Sequence, residues 1–328
     1  MTHIGNVKTI GFGIAVAFTS MTTELSAQEV LKWGHVYETA TPYHAAAVAA
    51  GEAFEEATQG RYTIEVFPAS QLGKEVALNE SLALGTVDII YTGLAFLGQS
   101  YPPIAISDYP FVLEGFDHWQ AYSESDLFAE MSAEYANITG NYVVPALTYY
   151  GARHVTSNKP ILRPSDMEGL KIRVPNAPSY LMFPEATGAN PTPMAFAEVY
   201  LALQQGVVDA QENPLPTIQF KRFYEVQSDI NLTAHITNSL TTLISPVALS
   251  RLSEEDTAAL EAVLIAAAAQ ASAEINTAES ELVDWFRAEG VTVNEVDRAP
   301  FIAAVAPFLT GDSVPWDAEI YERLQALK

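Results

Sequence analysis

The alternation of apolar and polar residues in the first hundred positions follows two different periods. Short runs with a strand-like pattern are separated by stretches in which apolar residues recur at helical spacing. The helical stretches stop at glycines, and the second strand-like run breaks at Pro68. The predicted elements are strand Val30–Val36, helix Tyr43–Ala57, strand Tyr62–Phe67, helix Glu75–Leu84 and strand Val87–Tyr91. This order predicts an α/β domain with a mainly parallel sheet.

The same order of elements recurs after about residue 150, and two segments repeat weakly. Gly60–Ala69 resembles Gly169–Ala177, and Leu82–Asp88 resembles Leu201–Asp209. Chance similarity is the alternative, because such patterns are common where helices meet strands. Two matches in the same order nevertheless indicate two related α/β lobes. Lobes of this kind form a crevice at the carboxyl ends of their strands, where small ligands bind.

The remaining third of the chain contains one long helical pattern. The predicted elements after Pro214 are a helix to about Val226, a strand Ile236–Ser245, a helix from Leu252 to about Glu289, a strand Val291–Val296 and helices within Ala299–Leu327. Pro246 should end the first of these strands, and Ser253 with Asp256 resembles a capping box at the start of the long helix. At 1.5 Å per residue that helix is on the order of 50 Å long, so we expect it to bridge both lobes.

The N-terminal residues have the layout of a secretory signal peptide. Lys8 precedes an apolar run, Ile10–Phe18, and a polar stretch then leads to Leu25-Ser26-Ala27. A retained anchor is the alternative, but the run has about half of the roughly 20 residues that a spanning helix needs. We therefore predict export to the periplasm and cleavage near Ala27. The predicted organisation is a signal peptide at 1–27, lobe 1 at 28–150 plus about 239–278, and lobe 2 at 151–238 plus about 279–328.

Charge and composition exclude several classes of function. The 328 residues include 40 acidic and 16 basic side chains, and a net charge of −24 would repel nucleic acid. There is no cysteine, which excludes disulfides, thiolate metal sites and cysteine nucleophiles. The sequence contains no GxSxG, HExxH, P-loop or GxGxxG motif, and its six histidines lack metal-ligand spacing. We therefore predict a protein that is not an enzyme and that holds no cofactor or metal.

Arginine is scarce in so acidic a chain, and the position of one arginine is informative. Arg173 lies in Lys171-Ile-Arg-Val-Pro175, where strand alternation turns it away from Ile172 and Val174. An arginine on a solvated sheet face is the alternative, but parallel strands are usually covered on both faces. A covered arginine needs a partner or a ligand, and its planar guanidinium can hold a carboxylate through two parallel hydrogen bonds. Arg173 is the predicted anchor for a small organic acid.

Three further residues are candidates for the same site. Arg153 follows the strand-like Leu147–Gly151 and is a second cation in a region with few of them. Asn213 offers a donor and an acceptor beside Pro214, although asparagine before proline is also common in turns. Phe196 can form an apolar wall of the site or belong to a helix core.

The run from about Gly151 to Pro214 resembles a known family. Its segments R-H-V-T-S-N-K-P, L-K-I-R-V-P-N, G-A-N-P-T-P-M-A-F-A-E-V-Y-L-A-L-Q and V-D-A-Q-E-N-P look like the extracytoplasmic solute-binding proteins of tripartite ATP-independent periplasmic (TRAP) transporters. The resemblance covers essentially the whole mature chain. It implies two α/β lobes that close over a small carboxylate, a long helix spanning both, and small and large integral membrane subunits as partners.

The resemblance also implies roles for single residues. Arg173 would clamp the carboxylate, Arg153 would be a second basic contact, Asn213 a polar partner and Phe196 a packing ring. Within the family the sequence is most similar to the sialic-acid-binding branch. It departs from that branch where Gly93 stands in place of a glutamate and Val36 in place of an asparagine, which argues against sialate.

Polar side chains of the first lobe are expected to recognise the rest of the ligand. The predicted contacts are His35, Tyr37, Gln71, Glu75 and Tyr91, together with Tyr150 and Asn176 near the arginines. An ordinary surface position is the alternative for each. Such hydroxyls, amides and carboxylates suit a polyhydroxylated ligand, because buried polar groups need partners. The predicted ligand is a sugar acid such as an aldonate or a uronate; a more hydrophobic organic acid, or a role as an extracytoplasmic sensor subunit, is the alternative. A monomer is expected.

Overall fold

The computed structural model describes residues 1–3, 5 and 28–328. Apart from residues 1–3 and 5, the predicted signal peptide lies outside the described residues. Residues 28–328 form one mixed sheet of nine strands with helices packed against it. The strands are β1 (Glu29–Gly34), β2 (Tyr62–Phe67), β3 (Ile89–Gly93), β4 (Tyr142–Ser157), β5 (Lys171–Val174), β6 (Asn190–Pro193), β7 (Ala210–Pro214), β8 (Asp229–Ile244) and β9 (Thr292–Asn294).

Two parallel halves of the sheet define the two lobes. In space the strands run β2-β1-β3-β8-β4-β7-β5-β6, with β9 beside β8. In lobe 1, β1 pairs in parallel with β2 and β3; in lobe 2, β5 pairs in parallel with β6 and β7. Between the two halves lie β8 and β4, which have 16 residues each and pair antiparallel with each other. β8 also pairs antiparallel with β3, and β4 with β7. The prediction of a mainly parallel sheet is correct within each lobe and wrong for the strands that join the lobes.

The helices follow the predicted order in lobe 1. They are α1 (Pro42–Ala57), α2 (Glu75–Ala83), α3 (Leu94–Leu97), α4 (Phe116–Ser123), α5 (Asp126–Thr139), α6 (Met182–Ala186), α7 (Val199–Gln204), α8 (Leu215–Phe220), α9 (Pro246–Leu249), α10 (Glu254–Ala288), α11 (Ala299–Val305) and α12 (Ala318–Gln325). β8 begins earlier than its predicted start at Ile236, because buried polar residues such as Asn231 and His235 interrupt its apolar pattern. It ends before Pro246, as predicted.

The longest helix, α10, contacts both lobes. Ser253 Oγ accepts a hydrogen bond from the backbone N–H of Asp256 at 3.1 Å, which confirms the predicted cap. The helix packs against α1 of lobe 1, against β4, and against α8 of lobe 2. Within the described residues, α10 is the one helix that is long and apolar enough to cross a membrane. Several of its apolar residues, among them Leu264 and Ile275, are buried inside the protein, whereas Ile265 is exposed.

The two sequence repeats differ in their structural meaning. Leu82–Asp88 and Leu201–Asp209 lead from a helix into β3 and β7, which hold equivalent positions in the two halves of the sheet. Gly60–Ala69 contains β2, which lies at the edge of the sheet. Gly169–Ala177 contains β5, which lies between β7 and β6 in the middle of the three parallel strands of lobe 2. The match between Leu82–Asp88 and Leu201–Asp209 therefore joins equivalent elements. The other match reflects an alternation that any strand can show.

A largely buried carboxylate of α10 holds β4 near the boundary between the lobes. Gly151 has φ +116° beside a bulge in the β4–β8 pairing, and a Cβ there would lie 2.6 Å from Glu279 Oε1. Glu279 accepts hydrogen bonds from the Tyr149 hydroxyl (2.7 Å) and from the backbone N–H of Ala152 (2.6 Å). Burial raises the pKa of Glu279 to about 7, although both hydrogen bonds oppose the rise.

Replacing Glu279 with Gln should stabilise the protein more at high pH than at low pH. The folded-state pKa of about 7 exceeds the ordinary value of 4.5, so the wild-type free energy of unfolding falls as the pH rises between these values and is level above them. Glutamine can accept from the Ala152 N–H through its oxygen and donate to the Tyr149 hydroxyl through its amide nitrogen, without this loss. Urea unfolding at about pH 5 and about pH 8 should show the advantage of Glu279→Gln growing by up to about 3 kcal/mol.

An equal difference at the two pH values would contradict this prediction. The matched control is Glu281→Gln, which removes an exposed carboxylate from the same helix. It should change the free energy of unfolding by less than about 0.5 kcal/mol at either pH.

Candidate functional site

The ends of the parallel strands meet at a cavity between the lobes. The cavity has a volume of about 240 Å³, and its walls come from strand ends of both lobes, from α2 and from the joining strands β4 and β8. Eight of the predicted ligand contacts line it: Arg153, Arg173, Asn213, Phe196, Tyr150, Asn176, Tyr37 and Glu75. Contact with a ligand stays a prediction for each of them. The structure places most of the predicted site around one space at the carboxyl ends of the strands.

Arg173 is a buried cation with few protein partners. It lies on β5 between Thr192 of β6 and Gln211 of β7, and only 2% of its surface is exposed. Its Nε and Nη2 atoms donate to the backbone carbonyl of Met194 at 3.0 and 2.7 Å. Among the described residues Nη1 has no hydrogen-bond partner. Burial lowers the pKa of Arg173 to about 10, so the guanidinium is charged at neutral pH.

Arg153 also lines the cavity, but its guanidinium is engaged by the protein. Its Nη2 donates to Glu212 Oε1 and to the Glu212 carbonyl, both at 2.7 Å, and its Nε donates to Glu212 Oε2. Its Nη1 donates to Asn238 Oδ1 at 2.9 Å. Burial alone would lower the pKa of Arg153, but the Glu212 carboxylate outweighs it and the net shift is upward. With four of five N–H groups in these bonds, Arg153 has little capacity left for a ligand.

A chain of buried polar groups extends from this ion pair in both directions. On one side, Glu212 Oε2 is 3.3 Å from His235 Nε2, and His235 Nδ1 is 2.8 Å from Thr233 Oγ1. On the other side, Asn238 donates to Asp108 Oδ1 at 2.7 Å. Sequence reasoning missed Glu212 and Asn238. The only signal for Glu212 is its place next to Asn213, since an isolated carboxylate in an acidic chain carries little information.

Asn213 is held by its neighbours and is not a turn residue. It lies in β7 opposite His154 of β4 and is buried. Its Oδ1 accepts from the Tyr150 hydroxyl at 3.1 Å, and its Nδ2 donates to Gln211 Oε1 at 2.6 Å. These bonds fix the amide and the Tyr150 ring on the lobe 2 side of the cavity.

The lobe 1 wall contributes the hydrogen-bonded carboxylate of Glu75 and one aromatic cluster. Glu75 is the first residue of α2, and its Oε1 accepts from Thr92 Oγ1 at 3.0 Å and from the backbone N–H of Gly93 at 3.1 Å. Burial raises the pKa of Glu75, and these two bonds oppose the rise. Tyr37 packs against Tyr150 and Phe196, with ring centroids 5.6 and 6.1 Å apart. The aromatic rings therefore connect the two lobes along one side of the cavity.

Three predicted contacts do not line the cavity. His35 is fully buried, its Nε2 lies 3.2 Å from His44 Nδ1, and its Nδ1 accepts from the backbone N–H of Tyr37. Tyr91 is buried against Trp33, and Gln71 is exposed in the loop before α2. Their place near strand ends was predicted, but the direction of each side chain depends on packing that the pattern does not reveal. Lobe 1 also contributes apolar side chains to the cavity wall, Val36, Val76 and Phe96, and β8 contributes Leu240.

Two ion pairs join the lobes at the edge of the cavity. Lys74 Nζ lies 2.5 Å from Glu198 Oε1, and Lys221 Nζ lies 2.6 Å from Glu38 Oε1. Lys221 also sits 5.2 Å above the ring of Phe196. No group of three or more metal-ligating side chains occurs in residues 1–3, 5 and 28–328. The groups that the described site offers to a ligand are hydrogen-bonding and charged side chains.

Comparison with known proteins identifies the family. Residues 33–311 match the family model DctP, described as bacterial extracellular solute-binding protein, family 7. The chain belongs to this family. Family members are extracytoplasmic solute-binding proteins, and the solved structures that match this chain are TRAP periplasmic solute-binding proteins. The predicted two-lobed fold and the TRAP resemblance are confirmed.

Three relatives of this DctP-family chain illustrate the match. The sialic acid-binding periplasmic protein SiaP of Vibrio cholerae is 35% identical over 302 residues, which are 92% of this chain and 94% of that protein. A structure from Bordetella bronchiseptica, with density assigned to pantoate, is 32% identical with a TM-score of 0.87, covering 92% of this chain and 100% of that one. A structure from Roseobacter denitrificans with bound L-galactonate is 34% identical with a TM-score of 0.84, covering 92% and 99%.

Removing the carboxylate of Glu212 should destabilise the fold. Glu212→Ala leaves the Arg153 guanidinium buried without its counter-charge, and breaking a buried pair from one side costs about 3–5 kcal/mol. Urea unfolding measures the loss. The double variant Arg153→Met/Glu212→Leu removes both charges and should lose less than Glu212→Ala alone. Glu225→Ala, which breaks an exposed pair with Arg222, should cost less than about 1 kcal/mol. Equal losses for Glu212→Ala and the double variant would contradict the account.

Proposed function

We propose that this TRAP solute-binding protein captures a sugar acid of the aldonate or uronate type and delivers it to the small and large membrane subunits of a transporter. The observation that carries the proposal is the guanidinium of Arg173, which lines the cavity and whose Nη1 group is a charged donor with no partner among the described residues. A ligand carboxylate supplies the missing acceptor. Each charged hydrogen bond of this kind contributes a net ~1.5–3 kcal/mol.

The other polar groups of the cavity suit a hydroxylated ligand body. Glu75 offers a carboxylate oxygen, Tyr37 and Tyr150 offer hydroxyls, and Asn176 is an exposed amide at the edge. L-galactonate, the ligand of the Roseobacter denitrificans structure, is an aldonate and has this combination of one carboxylate and several hydroxyls. Similarity to that protein supports the same ligand class for this chain.

A second candidate ligand is an acid with a more apolar body. Val36, Val76, Phe96 and Leu240 form an apolar part of the cavity wall, and these four side chains offer a polyhydroxylated ligand no hydrogen bond. The Bordetella bronchiseptica structure carries density assigned to pantoate, which is a branched hydroxy acid. A thermal-shift panel that contains aldonates, uronates and branched hydroxy acids separates the two candidates, since stabilisation follows RT ln(1 + [L]/Kd).

We infer that the two lobes, 28–150 plus about 239–278 and 151–238 plus about 279–328, close over the ligand by bending of β4 and β8. The pairs Lys74–Glu198 and Lys221–Glu38 support this motion, because each joins residues of different lobes across the edge of the cavity. Closure of this kind excludes water from the Arg173 contact and strengthens it.

Replacing Arg173 with Lys should weaken acid binding by on the order of 10- to 100-fold, because lysine keeps the charge and loses the planar fork. Isothermal titration with the best acid of the panel measures the change. The control Arg163→Lys alters an exposed arginine that pairs with Asp166 at 3.2 Å, and it should leave the affinity unchanged. Unchanged affinity in Arg173→Lys, or a wild-type response to uncharged sugars alone, would exclude the proposed clamp.

A further inference from the structure

The charged side chains of the cavity wall leave two opposite charges facing the ligand. Five charged residues line the cavity: Lys74, Glu75, Glu80, Arg153 and Arg173. Arg153 is neutralised by Glu212, and Lys74 is paired with Glu198 at the half-exposed edge. Glu80 is exposed. Inside the cavity this leaves the positive charge of Arg173 on lobe 2 and the negative charge of Glu75 on lobe 1.

The carboxylate of Glu75 is fixed in position and keeps one oxygen for the ligand. Its Oε1 accepts the hydrogen bonds of Thr92 and Gly93, whereas Oε2 has no partner among the described residues. Its place in the first turn of α2 favours a negative charge there. Burial raises the pKa of Glu75, and both arginines of the cavity act against this rise. In its ionised form Glu75 is a fixed acceptor that cannot donate.

We propose that Glu75 makes the site selective for monocarboxylates and excludes dicarboxylates with the same carbon skeleton. The inference rests on the proposed function, since it takes the ligand carboxylate to lie on Arg173. A hydroxyl at the far end of the ligand donates to Oε2 of Glu75. A second carboxylate at the same place has no proton to donate and brings a like charge beside Glu75. Neither Lys74 nor Arg153 can offset that charge, because each already has a carboxylate partner.

The test compares matched pairs of ligands on the wild-type protein. Each pair is the best-binding aldonate or uronate of the panel and the aldarate with the same carbon skeleton, for example galactonate and galactarate. Titration calorimetry should give an aldarate affinity weaker by on the order of 100-fold. The monoamide of the same aldarate has nearly the same shape without the second charge, and it should bind within about 10-fold of the monoacid. An aldarate that binds as tightly as the monoacid overturns the inference.

The variant Glu75→Gln tests which residue excludes the second charge. Glutamine retains an oxygen for Thr92 and Gly93, and the ratio of the aldarate to the monoacid dissociation constant should fall by about 10-fold or more. Glu52→Gln is the matched control, because it removes an exposed charge from α1 outside the cavity and should leave the ratio unchanged.

The possible failures are distinguishable. A wild-type preference for the monoacid that persists unchanged in Glu75→Gln would assign the selectivity to shape and overturn the role of Glu75. A wild-type protein that binds neither acid of any pair would refute the proposed function itself. The monoamide comparison requires no substitution, so it decides the charge question even where Glu75→Gln does not fold.

Discussion

Two guanidinium groups are buried on the walls of one cavity, and a buried charge is costly unless it is paired. Glu212 satisfies this requirement for Arg153 with two carboxylate contacts, whereas within the described part of the chain Arg173 receives only the carbonyl of Met194. Of these two guanidinium groups, that of Arg153 is compensated and that of Arg173 is incompletely compensated. Arg153 of the compensated pair forms part of the cavity wall, and under the proposed function the other cation attracts the carboxylate of the ligand.

The joining strands are what bring these groups together. β4 carries Arg153 and Tyr150, and its pairing with β7 sets Arg153 opposite Pro214, next to Glu212 and Asn213. β8 adds Asn238 from the other side of β4. Because β4 and β8 run from one lobe into the other without interruption, the cavity wall and the connection between the lobes are the same element. A movement of either lobe therefore acts on the strands that hold the Arg153–Glu212 pair.

The features that sequence could predict are the ones governed by local geometry. The alternation of side chains along β5 drew attention to Arg173, and the capping pattern of Ser253 predicted the start of α10. Glu212 escaped prediction because its partner, Arg153, lies 59 residues away and only the pairing of β4 with β7 reveals it. Tyr91, a predicted ligand contact, does not line the cavity, because the sequence pattern of a fully buried strand does not reveal which way each side chain points.

The carbonyl that orients Arg173 belongs to the main chain of Met194, and the backbone N–H of Met194 in turn donates to the carbonyl of Val174 at 3.0 Å. The anchor is thus held by the backbone of neighbouring segments, and no particular side chain at position 194 is needed to orient it. Side chains around it can change through single substitutions while the guanidinium stays in place. Under the proposed function, the group that binds the carboxylate and the side chains that select the acid can therefore change independently.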